Sequence, residues 1–269
     1  MLPCIGFSQP GKRWKLIWSD EFNYIDFPDS TKWGYETGFV RNQEQQYYTA
    51  KRPENCFVRE GNLVITGRQE TITNDKFKPG SSDWRYKDSL AFYTSASINT
   101  FGKFDLLYGR IDIRAKLPGG RGIWPAFWLL GINRPHVKWP SCGEIDIMEF
   151  IGDKDSTTIY GTVHRDNEGK TDPNYVSSGG RIKSKNITSD YHLYSLAWNR
   201  KYIDILFDNK KIFRYKIDKA NRKNGDNAFR KPFYLLINLA LGSAWPGPVK
   251  DECLPAELLV DYVRVYKLK

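Results

Sequence analysis

From Trp14 onward, short apolar or alternating runs recur between turn-forming clusters, and no strong helical period separates them. The runs "KLIWSDEF", "GNLVITGRQE", "GRIDIRAKLP", "IWPAFWLLG", "GEIDIMEF", "STTIYGTVH", "HLYSLAWNR", "YIDILFDNKKIFRYKI", "FYLLINLALG" and "ELLVDYVRVYKL" all read as strands. So many strands at this spacing predict an all-β sandwich or barrel. No fixed-period repeat, low-complexity tract or linker divides them, so residues 14–269 form one domain behind an N-terminal extension, 1–13. The extension's apolar stretch is short and lacks a basic start, which fits either a signal-peptide remnant or a plain leading segment.

One run breaks the strand rule. In "GEIDIMEF", Glu144 and Asp146 share a face, whereas Glu149 falls on the other face of a regular strand. A helix does no better, since Glu144 and Asp146 would then lie ~200° apart. Taken alone, the run also suits a half-exposed strand with its acids in water. A β-bulge at Ile147-Met148 instead puts all three acids on one face. Glu144 and Glu149 would then stand roughly 13 Å apart at Cα, at ~3.3 Å per residue. Side chains leaning together over that span reach the ~5–5.5 Å carboxyl separation of retaining glycosidases. Three such acids cannot all ionise easily, so one becomes a proton donor and another stays a nucleophile.

Composition adds to this picture. The chain holds 9 Trp, 16 Tyr and 15 Phe, and aromatic rings suit both pleated sheets and sugar platforms. The net charge is +10, of which about +7 falls between Arg200 and Lys231. That segment reads as a strand edge whose lysines block further pairing, rather than a polyanion site. Basic and aromatic residues interleave only in "KKIFRYK", so a nucleic-acid partner is not expected. Four cysteines, Cys4, Cys56, Cys142 and Cys253, lack zinc spacing, and no apolar run is long enough to cross a bilayer.

"GEIDIMEF" together with "GIWPAFWLLG", "YTSASINTFGKFDLLYGRIDIRAKLP", "RNQEQQYYTAKRPENCFVREGNLVITGRQE" and "VDYVRVYKL" closely resembles glycoside hydrolase family 16, in particular its laminarinase-like bacterial members. The resemblance implies a concanavalin-like jelly roll of two curved antiparallel sheets with an open concave cleft. It implies Glu144 as nucleophile, Glu149 as acid/base and Asp146 as the partner that tunes the nucleophile. It also places Asn42, Arg110, Trp124, Trp128, Trp139, His164 and Trp245 along the substrate cleft. A structural calcium is implied at Glu21, Gly61 and Asp261, with no cofactor for catalysis.

The expected activity is endo-acting, retaining hydrolysis of β-1,3- or mixed-linkage β-1,3/1,4-glucan by a secreted, periplasmic or cell-surface monomer. The alternative is a galactanase of the same family, which would want basic residues in the cleft. Arg121, Arg134 and Lys138 keep it open. A non-catalytic sugar-binding module would need no acid pair.

Overall fold

Alternating burial along the strands sorts the chain into two packed sheets. The computed structural model describes residues 14–152, 157–168 and 175–269; the extension 1–13, with Cys4, lies outside them. A ten-stranded sheet runs in the order β15 (Lys210–Lys216), β14 (Tyr202–Phe207), β13 (His192–Trp198), β8 (Gly109–Lys116), β17 (Ala256–Leu268), β5 (Asn62–Thr73), β6 (Leu90–Ser95) and β3 (Tyr47–Tyr48). β1 (Trp14–Asp20) also pairs with β17, and β4 (Cys56–Arg59) with β5. The seven-stranded sheet runs β12 (Tyr175–Lys183), β11 (Thr158–Asp166), β10 (Glu144–Phe150), β9 (Ile123–Gly131), β16 (Phe233–Leu241), β7 (Ser97–Asn99) and β2 (Gly34–Glu36). The result is the expected jelly-roll sandwich. Pairing departs from the antiparallel expectation at one place, where β3 lies parallel to β6.

The core fills the space between the sheets. Ile111 and Ile113 of β8 pack with Phe127 and Leu129 of β9, Ile145 and Ile147 of β10, and Phe233, Leu235 and Ile237 of β16. A smaller apolar cluster, Ala126, Trp128, Leu130, Cys142, Tyr234 and Leu236, lies on the other face of the seven-stranded sheet. This second face is therefore not a plain solvated surface, and the site is built on it.

The basic segment behaves as an edge. β15 is the last strand of its sheet, and Lys210, Lys211 and Lys216 are exposed along it. Asp208 and Asn209 take φ of 47° and 62° in the two-residue turn that joins β14 to β15, the left-handed conformation these residues tolerate.

Candidate active site

The bulge is present. On β10, Asp146 pairs with Trp128 and Thr162, and Glu149 with Ala126 and Tyr160. Two residues of β10, Ile147 and Met148, thus oppose one on each neighbour. Both turn into the core, where Ile145, Ile147, Met148 and Phe150 are fully buried. Glu144, Asp146 and Glu149 consequently line one cavity of about 270 Å³ on the outer face of the seven-stranded sheet.

His164 joins them from β11. It stands opposite Glu144 in the register, and its Nε2 lies 3.1 Å from Asp146 Oδ2 and 3.7 Å from Glu144 Oε1. Burial pushes the Glu144 carboxyl up to about 8, helped by the charge of Asp146 and opposed by His164 and Arg41. Burial likewise raises Asp146, which hydrogen-bonds with Glu144. Glu149 is raised well above the carboxylate range, first by burial and then by repulsion from Asp146 and Glu144. The cluster therefore carries less than its full negative charge near neutrality, with Glu149 the proton holder. Glu144 and Asp146, hydrogen-bonded to each other, both face His164, and the Glu144 carboxyl also feels the charge of Arg41. One carboxylic acid beside one carboxylate is what double displacement at a sugar carbon requires.

Aromatic walls flank the acids. Trp124 meets Trp245 edge to face, with ring centroids 5.3 Å apart, and Trp245 lies 5.4 Å from Tyr160. The Trp124 side chain, near Glu149, opposes a small part of the rise in that carboxyl's pKa. On the other side Trp139, 42% exposed, packs 5.0 Å from Tyr175 and 6.2 Å from His164. Trp128 forms the floor, its Nε1 donating to Asn238 Oδ1 at 2.7 Å. Asn42 lines both this cavity and an adjoining one of about 840 Å³ that contains Trp245.

Comparison with known proteins agrees with this geometry. Residues 43–263 match the model of the family described as Glycosyl hydrolases family 16. The chain belongs to this family. It is 38% identical to a β-glucanase of Rhodothermus marinus, over 97% of this chain and 87% of that protein. It is also 38% identical to glucan endo-1,3-beta-glucosidase A1 of Niallia circulans, but spans only 38% of that longer protein. A keratan-sulfate endo-1,4-beta-galactosidase of Sphingobacterium multivorum shares 34% identity over 95% of this chain and 56% of its own. Among solved structures, the R. marinus laminarinase superposes with a TM-score of 0.79 at 38% identity, over 96% of this chain and 99% of that one. A structure from work on endo-acting O-glycanases of human gut bacteria superposes with a TM-score of 0.90 at 37% identity, covering 97% and 93%.

In this family 16 glycoside hydrolase, one expected cleft residue lies elsewhere, and the carboxylates expected at a calcium are otherwise engaged. Arg110 is not in the cleft. It lies on β8 of the other sheet, on the face turned away from the core, where its Nε sits 2.7 Å from Asp112 Oδ1. The alternation in "GRIDIRAK" is real, but its polar face looks out on the far side. The calcium positions do become neighbours. Glu21 follows the end of β1 beside β17, Gly61 precedes β5, and Asp261 sits in a bulge of β17. However, Arg264 holds the Glu21 carboxylate at 2.7 Å, and Arg114 pairs with Asp261. Guanidinium groups thus occupy the carboxylates a hard cation would need, so these side chains do not fit a calcium site. Among the described residues, the acid and histidine group close enough to share a cation is Glu144, Asp146 and His164 in the cleft.

Other cleft residues went unanticipated. Arg41 sits 4.8 Å over the Trp128 ring and pairs with Glu36, which also accepts from Ser97 Oγ at 2.6 Å. Glu44 and Asn238 line the cavity as well, and Tyr175 supports Trp139; Arg134, one of the basic residues that kept the galactanase alternative open, also lines it. Only the fold brings these scattered positions together. For Arg41 and Glu44, the charged residues in "VRNQEQ" beside Asn42 were the available signal.

Proposed function

We propose that the protein is an endo-acting, retaining hydrolase of β-1,3- or mixed-linkage β-1,3/1,4-glucan. The observation that carries this reading is the bulge that turns Glu149 onto the face of Glu144 and Asp146. Glu144 attacks the anomeric carbon while Glu149 protonates the leaving oxygen. Water, deprotonated by Glu149, then releases the glycosyl group with its configuration retained. Asp146, hydrogen-bonded to Glu144 and backed by His164, adjusts the charge of the nucleophile as the covalent bond forms and breaks. The β-glucanase and laminarinase relatives support a glucan substrate. A polymeric substrate also suits an enzyme acting outside the cytoplasm as a monomer.

A second reading is cleavage within a galactose-containing glycan by the same machinery. The superposition at TM-score 0.90 on the O-glycanase structure, against 0.79 on the laminarinase, favours it, as does the keratan-sulfate-cleaving relative. Incubation with laminarin, barley mixed-linkage glucan, agarose, carrageenan, keratan sulfate and gastric mucin separates the two. Oligosaccharide release from laminarin or barley glucan is expected. Release only from the galactose-containing polymers would transfer the assignment to the second reading, and release from none would remove both.

A further inference from the structure

Among the residues that line the cleft is a buried carboxyl group that the chemistry above does not use. Glu44 is 4% exposed, and its carboxyl group accepts from three side-chain donors. Its Oε1 takes Asn42 Nδ2 at 3.2 Å, and its Oε2 takes Gln46 Nε2 at 2.8 Å and the Tyr48 hydroxyl at 3.3 Å. The chain of donors continues upward. Asn238 Nδ2 donates to the Tyr48 hydroxyl at 3.1 Å, and Trp128 Nε1 donates to Asn238 Oδ1. Every link from the Trp128 indole to Glu44 points the same way and ends on the carboxylate. Burial raises the Glu44 pKa, and the charge of Arg41 and the Gln46 and Asn42 donors offset only part of that rise.

At Oε1 it is the amide nitrogen of Asn42, not its oxygen, that faces the carboxyl group, the arrangement an acceptor-only oxygen calls for. The other end of that amide, Oδ1, is left toward the cavities that Asn42 lines. The backbone leaves little freedom, because Asn42 and Gln43 both hold left-handed conformations, with φ of 56° and 50°. Ser243 Oγ further pins the loop by donating to the Asn42 carbonyl at 2.7 Å.

We propose that Glu44 is a positioning residue that sets the polarity of the glycan subsite at Asn42, so that the subsite presents an acceptor oxygen and selects a sugar hydroxyl as donor. The proposal rests on the cleft binding a glycan. The donor chain from Trp128 ends on the same carboxyl group, so the sugar platform and the hydroxyl acceptor share one anchor.

Two substitutions test it by swapping donor for acceptor without changing size. In Glu44→Gln, the oxygen of the new amide takes Gln46 and Tyr48, and its nitrogen meets Asn42. The Asn42 amide must then rotate and turn its nitrogen to the sugar. Adding Asn42→Asp restores an acceptor at both ends of position 42, while the amide introduced at position 44 donates to it. Binding is read by titration calorimetry with Glu144→Gln as parent, using laminarihexaose and, separately, a tetrasaccharide of repeating N-acetyllactosamine. Glu44→Gln is expected to weaken binding about tenfold, with the thermal midpoint little moved, and Asn42→Asp in addition is expected to recover most of it. Unchanged affinity in Glu44→Gln, or a double variant as weak as the single one, would overturn the proposal. Failure of the parent to bind either oligosaccharide would count against the glycan reading itself. In that case the ligand-free protein still decides: the Asn42 side-chain amide signals in ¹⁵N NMR should move in Glu44→Gln, and unchanged signals would overturn the role of Glu44.

Discussion

Ser177 holds His164 from behind, its Oγ 2.7 Å from Nδ1, while Nε2 on the opposite side of the ring lies 3.1 Å from Asp146. A proton on Nε2 faces Asp146 and leaves Nδ1 to accept from the serine hydroxyl. Ser177→Ala removes this lock. We expect kcat to fall severalfold, in line with about 1 kcal/mol for one hydrogen bond, with Ser177→Thr recovering most of it. Equal pH–rate profiles for Ser177→Ala and the parent would show that the hydroxyl does not set the tautomer.

The division of labour between the two glutamates has separate signatures. Glu144→Ser is expected to abolish turnover while leaving oligosaccharide binding nearly intact. Glu149→Ala is expected to lose about 10²–10⁴-fold on polysaccharide but much less on aryl glycosides whose leaving group needs no proton. Added azide should then yield a glycosyl azide of retained configuration. An inverted azide product by NMR would overturn double displacement.

The raised carboxyls make a stability prediction with an unusual sign. An unfolded glutamate titrates near 4.5, whereas folded Glu144 is pushed up to about 8. Between those values the folded state holds a proton that the unfolded state has released. This contribution to stability is therefore full below the unfolded value and is lost as pH rises through the folded one. Glu144→Gln removes the loss, so its thermal midpoint should exceed that of the parent by roughly 2–4 °C at about pH 8 and by much less at about pH 5. An equal difference at both pH values would contradict the shifted titration.

The loop carrying Trp245 depends on a glycine. Gly242 has φ +62°, and a Cβ there would stand 1.8 Å from Gln45 Oε1, which accepts from the Val249 amide at 2.8 Å. Gly242→Ala should cost about 1–3 kcal/mol in urea unfolding and raise KM by displacing Trp245 and its partner Trp124. A variant with unchanged KM would detach this loop from substrate binding.

Most of the fold was legible because strand alternation and turn residues are local properties. The bulge was legible for a related reason: three acids that share chemistry must share a face, and only an extra residue reconciles that with a two-residue period. Arg110 shows the limit. Its strand, its burial pattern and its outward direction were all readable, but which sheet it would join is settled by pairing with β13 and β17, far away in sequence. Glu44 was hidden differently, since a charged residue among "RNQEQQ" looks solvated until Tyr48, Gln46 and Asn238 close over it.

The bulge also bears on how such enzymes diverge. Ile147 and Met148 oppose a single residue on each neighbouring strand, and both side chains go into the core. Loss of one codon here would return the strand to a regular E-x-D-x-E while keeping both glutamates toward the cleft. The two spacings are thus one deletion apart, and the adjustment falls on core packing behind the sheet. A lineage can cross between them without dismantling its catalytic face, so the repacking of Phe150 and its neighbours, rather than the chemistry, sets how hard that step is.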